Sequence, residues 1–184
     1  MLAQSARHLF PLTLMLAAMA AGASPASPDR AVLLKFEGAI GVDPLTAAGG
    51  VDVPNVVRGI NPGGRAWVLR KLQATVFANA TVAITGKGLL FSSGESIATR
   101  GAVTHVAATL ACGAADATAL KYTTAPFELN AAGNFSIRGP LLDGTNTAVL
   151  PATCANPQLL IRSANPTTGA AGGWFAVGIL DNDD

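Results

Sequence analysis

The segment VTHVAATLAC, residues 103–112, shows the clearest period of two in the chain. In an extended strand, side chains two positions apart lie on the same face of the backbone. One face of this segment would carry the apolar residues Val106, Ala108, Leu110 and Cys112, and the other face would carry Val103, His105, Ala107 and Thr109. The segment is therefore predicted to be a β-strand whose first face points into a core.

Similar short apolar runs continue on both sides of this segment, and Gly, Pro, Asn and Asp separate them. Runs of this kind, rich in Val, Ile, Phe and Thr, are typical of strands. No run keeps a helical period beyond two turns. Besides 103–112, the predicted strands are Ala31–Phe36, Ala66–Ala78, Thr81–Thr85, Gly88–Phe91, Ala125–Asn130, Phe135–Arg138, Gln158–Ser163 and Trp174–Leu180. About seven to nine strands in this length favour an all-β, single-domain antiparallel β-sandwich of the Ig-like or Greek-key type.

Three local patterns refine this prediction. In 66–78 the apolar positions change phase at Arg70-Lys71, which indicates a bulge or a strand that crosses between sheets. The triplet Gly86-Lys87-Gly88 suggests a tight turn between two strands. The stretch 127–137 is typical of a hairpin, with Gly133 at a positive φ in its turn.

The N-terminus has the features of a secretory leader. Arg7 and His8 precede an apolar stretch from Leu9 to Ala21, and small residues surround Ala23, where cleavage is expected. The predicted organisation is a signal peptide over 1–23, a flexible stub over 24–29, the β-domain over 30–180 and an acidic tail over 181–184. The mature chain is expected to be secreted or periplasmic and to contain no membrane span.

The charge balance excludes one class of partner. The chain of 184 residues has 12 Lys and Arg against 11 Asp and Glu, and only 12% of it is charged. A protein that binds nucleic acid through phosphate contacts needs clustered basic residues, so no nucleic-acid partner is expected.

The two cysteines, Cys112 and Cys154, are expected to form one disulfide, because an exported pair is most simply oxidised. The bond would tie the long connection 139–156 to the sheet. A redox role is disfavoured because the two cysteines lack the C-x-x-C spacing.

Candidate chemistry is sparse, and no catalytic, cofactor-binding or metal-ligating residue is predicted. His105 is the one histidine of the mature chain, and it has no nucleophile motif beside it. Glu95 and Glu128 are the conceivable carboxylate pair for glycoside hydrolysis. Trp67 and Trp174 could stack on sugar rings, although their apolar strand context favours core packing. Trp67, Trp174 and His105 are therefore kept as possible ligand-facing residues.

Several blocks of the sequence carry a resemblance to known proteins. They are 74–76 (ATV), 86–90 (GKGLL), 108–112 (ATLAC), 127–129 (FEL), 133–137 (GNFSI), 159–162 (LLIR) and 174–179 (WFAVGI). Over about residues 65–180 the chain resembles a group of small exported bacterial proteins of unknown function. The resemblance implies export and one folded domain, and it provides no activity, ligand or catalytic residue.

Three functions remain open at this point. The first is a non-catalytic binding module for a protein or glycan partner, without a cofactor. The second is a surface structural subunit that self-associates by strand addition, because low charge and abundant Ala, Gly, Thr and Asn are typical of such subunits. The third is a hydrolase that uses the Glu95 and Glu128 carboxylates.

Overall fold

The fold is described from a computed structural model, which covers residues 31–44 and 55–182. The predicted leader, the stub and the last two residues of the predicted tail lie outside the described residues. The strands of the described part are β1 Val32–Gly41, β2 Trp67–Phe77, β3 Thr81–Phe91, β4 His105–Cys112, β5 Leu120–Thr123, β6 Phe127–Glu128, β7 Phe135–Pro140, β8 Leu142–Asp143, β9 Asn146–Thr147, β10 Gln158–Ala164 and β11 Ala171–Leu180. The prediction of an all-β chain is confirmed. The described residues contain no helix long and apolar enough to cross a membrane.

The strands form one antiparallel sheet in the order β7-β3-β2-β1-β11-β10-β4-β5-β8-β9. The short strand β6 pairs with β4 and directly precedes β7, the strand at one end of this order. The chain therefore brings the β7 end of the sheet close to β4. The sheet is thereby nearly closed into a barrel. The two-sheet sandwich is not confirmed, and the described strands outnumber the seven to nine expected. The physical reason is that alternation defines the buried face of a strand but not which strands share a sheet.

The first strand is central to the sheet, because β1 pairs with β2 on one side and with β11 on the other. Its register with β11 shifts between Phe36 and Ala39, and Gly38 lies between them at a φ of +78°. A bulge of this kind increases the local twist and helps a sheet to coil.

Strand β4 is buried on both faces. The predicted core face is confirmed, since Val106, Ala108 and Leu110 are fully buried. The opposite face is also closed, because Ala107, Thr109 and Ala111 are 0% exposed. The side chains on that second face are small, so a neighbouring layer can pack closely against them.

The phase change in β2 is confirmed, since Arg70 and Lys71 are both exposed between the buried residues Leu69 and Leu72. The register between β2 and β3 does not shift there. Instead β3 also changes phase, at Gly88, whose φ of +70° is a conformation that favours glycine. The expected tight turn at 86–88 is therefore wrong, and β3 runs through it as one strand.

The turn predicted within 127–137 is confirmed in its details. Gly133 has a φ of +73°, and its N–H donates to the carbonyl of Asn130 at 2.9 Å. The Asn130 side chain accepts from the N–H of Asn134 at 2.9 Å. The first arm departs from the expected hairpin, because β6 is short and its ladder joins it to β4.

The disulfide between Cys112 and Cys154 is present, as predicted. Arg58 reinforces the same junction from a buried position. Its Nε donates to Gln158 Oε1 at 2.8 Å, its Nη2 donates to the carbonyl of Asn156 at 2.8 Å, and its Nη1 donates to the carbonyl of Ala114. The loops that follow the two cysteines are therefore joined by a covalent bond and by one guanidinium.

Candidate functional site

The two tryptophans lie in the core. Trp67 is 4% exposed and Trp174 is 2% exposed. The Trp67 ring lies 4.3 Å from the Phe91 ring and 4.1 Å from the Phe175 ring, measured between centroids. The Trp174 indole N–H donates to the carbonyl of Asn55 at 3.0 Å. Neither ring can serve as an exposed sugar platform, so the ligand-facing interpretation is corrected to the core packing that their strand context favoured.

His105 begins β4 and is half-buried. Its Nδ1 lies 3.0 Å from Thr104 Oγ1, and its backbone is paired with that of Glu128 in β6. No nucleophilic side chain other than this threonine hydroxyl forms a hydrogen bond to the ring in the described part of the chain. The structure thus places His105 at the edge of a ladder and gives it no catalytic arrangement there.

The two conceivable catalytic carboxylates line different clefts. Glu95 lines a cleft of about 720 Å³ with Asp43, Arg65 and the serines of the loop after β3, which we call the serine cleft. Glu128 lines a cleft of about 650 Å³ with Lys87, Asn130 and Asn134, which we call the β6–β7 cleft. The two carboxylates therefore do not face each other across one site.

A third cleft, of about 570 Å³, has a more specific polar geometry. Strand β5, the turn between β8 and β9, and the loop between β10 and β11 line it, and Arg162 of β10 contributes its guanidinium. We call it the Arg162 cleft. Its hydroxyl-bearing lining residues are Thr123, Thr124, Thr145 and Thr168.

Backbone carbonyls of the neighbouring strand hold the Arg162 side chain. Its Nε donates to the carbonyl of Gly172 at 2.8 Å, and its Nη2 donates to the carbonyl of Ala171 at 2.9 Å. The register between β10 and β11 shifts on both sides of Arg162, at Ile161/Arg162 and Arg162/Ala164. Such irregularities redirect side chains and leave carbonyls outside the ladder, where a guanidinium can bind them.

Two threonines continue this polar arrangement across the sheet. Arg162 Nη1 donates to Thr109 Oγ1 at 3.2 Å, and Thr109 Oγ1 lies 2.9 Å from Thr123 Oγ1. Thr109 is completely buried, whereas Thr123 lines the cleft. The three side chains come from β10, β4 and β5, which are adjacent in the sheet.

The charges in the Arg162 cleft are of one sign. Arg162 and Lys121 line it, and its described lining includes no carboxylate. The Lys121 ammonium donates to the carbonyls of Ala117 at 2.7 Å and Ala119 at 3.0 Å, so backbone oxygens already hold it. Burial lowers the pKa of Arg162 from its usual value. Desolvation of an unpaired guanidinium is costly, and an anion would offset that cost.

Across 31–44 and 55–182, no three His, Cys, Asp or Glu side chains come together in a group that could hold a metal ion. The hydroxyl and guanidinium groups of the Arg162 cleft are hydrogen-bond donors to anions rather than metal ligands.

Comparison with known proteins gave no assignment. The sequence matches no protein-family model, and neither the curated proteins nor the solved structures gave a significant match. The interpretation of the site therefore depends on its geometry.

Sequence reasoning did not identify the Arg162 cleft. Arg162 follows the apolar run 159–161 and lies within a predicted strand, where it resembles any charged residue near a strand end. Its partner Thr109 is 53 residues away and belongs to a face of β4 that the alternation left outside the core. The one available signal was an arginine within a strand, on the face that alternation places opposite Leu159 and Ile161.

Proposed function

We propose that the protein is an exported, non-catalytic module that binds a protein or glycan partner in a cleft on the surface of its sheet. The observation that carries the proposal is the Arg162 cleft, which is lined by an arginine, a lysine and four threonines and has no carboxylate among its described lining residues. Binding sites typically combine a concave surface with a small number of fixed polar groups.

Export is supported by two independent features. The Cys112–Cys154 disulfide is compatible with an oxidising compartment, and residues 1–23 have the pattern of a leader. Expression in a bacterial host, followed by fractionation and N-terminal sequencing, tests this part. The expected result is oxidised protein outside the cytoplasm that begins at Ser24, and uncleaved protein in the cytoplasm would contradict it.

The second function weighed from the sequence, a surface subunit that assembles by strand addition, gains no supporting observation. The N-terminal strand of the described part, β1, pairs with strands of its own chain on both sides. Addition of a strand requires an open sheet edge or a vacant groove. The binding proposal is therefore preferred over this second function.

The binding proposal is tested by ligand-observed NMR with the oxidised protein against a library of neutral and acidic sugars, amino acids and short peptides. Backbone amide shifts then locate each ligand on the structure. The expected result is at least one ligand that shifts amides around Thr123, Thr145 and Thr168. The proposal is overturned if no library member at millimolar concentration shifts the amide resonances of any residue in the serine, β6–β7 or Arg162 cleft. It is also overturned if a substrate is turned over in a reaction that His105→Ala abolishes.

A further inference from the structure

The hydrogen-bond polarity of the Arg162 cleft is determined by its residue types. A guanidinium only donates hydrogen bonds, whereas a hydroxyl has one O–H to donate and lone pairs to accept. Because Arg162 donates to Thr109, the Thr109 oxygen acts as acceptor in that bond. The direction of the next bond, between Thr109 and Thr123, then follows from burial.

Thr109 is 0% exposed, and its hydroxyl partners within the described residues are Arg162 and Thr123. A buried O–H without an acceptor is costly. The Thr109 O–H must therefore donate to Thr123 Oγ1, because Arg162 offers no acceptor. Thr123 is thus an acceptor in this bond, and its own O–H is left to donate to a group in the cleft.

Arg162 adds further donors. A guanidinium has five N–H groups, and three of them are used on Gly172, Ala171 and Thr109. Two N–H groups on Nη1 and Nη2 remain without a partner among the described residues. Together with the Thr123 O–H, these N–H groups give three unused donors on residues that line the cleft, which also carries the charges of Arg162 and Lys121 and has no carboxylate among its described lining residues.

From this donor arrangement we infer that the Arg162 cleft binds the carboxylate group of a small ligand, with Arg162 and Thr123 as the contacting residues. A carboxylate has two oxygens and about four acceptor positions, and it pairs with the parallel N–H groups of arginine. Arg162 is the cation left to contact the carboxylate directly, since the Lys121 ammonium already donates to backbone carbonyls.

This inference rests on the proposed binding function and specifies its chemistry. The carboxylate could belong to an acidic sugar or to the C-terminus of a peptide, and both present the same group to Arg162. A cleft of about 570 Å³ is large enough for one sugar ring or one amino-acid residue.

The test is a titration followed by amide and arginine Nε–H NMR shifts of the oxidised protein. The probes are glucuronate, N-acetylalanine, neutral glucose and sodium sulfate at constant ionic strength. Glucuronate or N-acetylalanine is expected to shift residues of the cleft, and the tighter of the two identifies the source of the carboxylate. Glucose at the same concentration is expected to leave those residues unchanged.

Three variants make the test specific. Thr123→Val is expected to weaken carboxylate binding by about three- to tenfold, the effect of one hydrogen bond. Arg162→Gln is expected to weaken it by more than about tenfold, because a charged donor is lost. Arg138→Gln removes an exposed positive charge from β7 outside the cleft and is expected to leave binding unchanged.

Three results would overturn the inference. They are equal binding of glucose and glucuronate, sulfate binding tighter than either carboxylate, and carboxylate binding that Thr123→Val leaves unchanged in a variant with a native spectrum. Ligands of the wider library that bind only in the serine cleft or the β6–β7 cleft would also overturn it, while the proposed binding function would stand. A library with no ligand at all would contradict the proposed function itself.

Discussion

Replacement of both disulfide cysteines, Cys112→Ala with Cys154→Ala, is expected to destabilise the protein strongly while its fold is retained. The two residues are 42 positions apart in sequence, and their Cα atoms are 4.9 Å apart in the folded state. In the chain-entropy model, a crosslink that closes a loop of about 43 residues removes freedom from the unfolded chain worth about 4 kcal/mol. The free energy of unfolding is expected to fall by this amount.

The folded state has its own means of holding the junction together. The Gly113 N–H donates to the Ala155 carbonyl at 2.7 Å, and Arg58 donates to the carbonyls of Ala114 and Asn156. These bonds need no sulfur, so the loops are expected to stay in place without the disulfide. The cost of the substitution then lies mainly in the greater freedom of the unfolded chain.

The assay is urea unfolding followed by tryptophan fluorescence, since Trp67 and Trp174 are both buried. The double variant is expected to have a lower midpoint and a larger m-value, because its unfolded chain is less compact. Wild-type protein unfolded in the presence of a reductant keeps the sulfur atoms and serves as the matched control. A loss below about 1 kcal/mol in both samples would refute the entropic reasoning.

Two further predictions concern local packing and charge. Gly86→Ala is expected to lower stability by about 1–3 kcal/mol, because the added Cβ would lie 2.1 Å from the Phe135 ring. The measurement is thermal denaturation, and the control is Gly64→Ala, whose Cβ would meet nothing within 4 Å. The Asp116 carboxylate accepts hydrogen bonds from the side chain and the backbone N–H of Thr118, and these bonds lower its pKa. The stabilising effect of the carboxylate is therefore present above about pH 4 and is lost as the pH falls through the lowered pKa. The difference in urea midpoint between wild type and Asp116→Ala is therefore expected to narrow towards pH 2, and a difference that stays constant with pH would contradict this.

The positions of the strands could be predicted well from the sequence, since alternation and turn residues are local signals. Every predicted strand overlaps a strand of the structure. The segment Leu120–Thr123 was missed because four residues after an Ala-, Asp- and Thr-containing turn give too short a pattern. The second half of β1 was missed because Glu37-Gly38 suggests a strand end, whereas Gly38 forms a bulge inside the strand.

The arrangement of the strands and the candidate site could not be predicted in the same way. Whether β1 joins β11 or faces it across a core depends on pairing between residues more than 130 positions apart. The Arg162 cleft likewise depends on where Thr109 and Thr123 lie relative to β10. His105, Trp67 and Trp174 were proposed as ligand-facing residues from residue type alone. Their burial and their contacts depend on the fold, which residue type does not specify.

The pairing of β1 with β11 also determines when the protein can complete its fold. Residues 32–41 are synthesised well before residues 176–180, and the ladder between them can form only after the later segment has left the ribosome. Long-range pairing of this kind slows folding, because the closure of a large loop precedes the contacts that stabilise it. A nascent chain therefore cannot close its sheet until residues 176–180 have been synthesised. The order of the strands in the sheet thus makes completion of the fold a late event in synthesis.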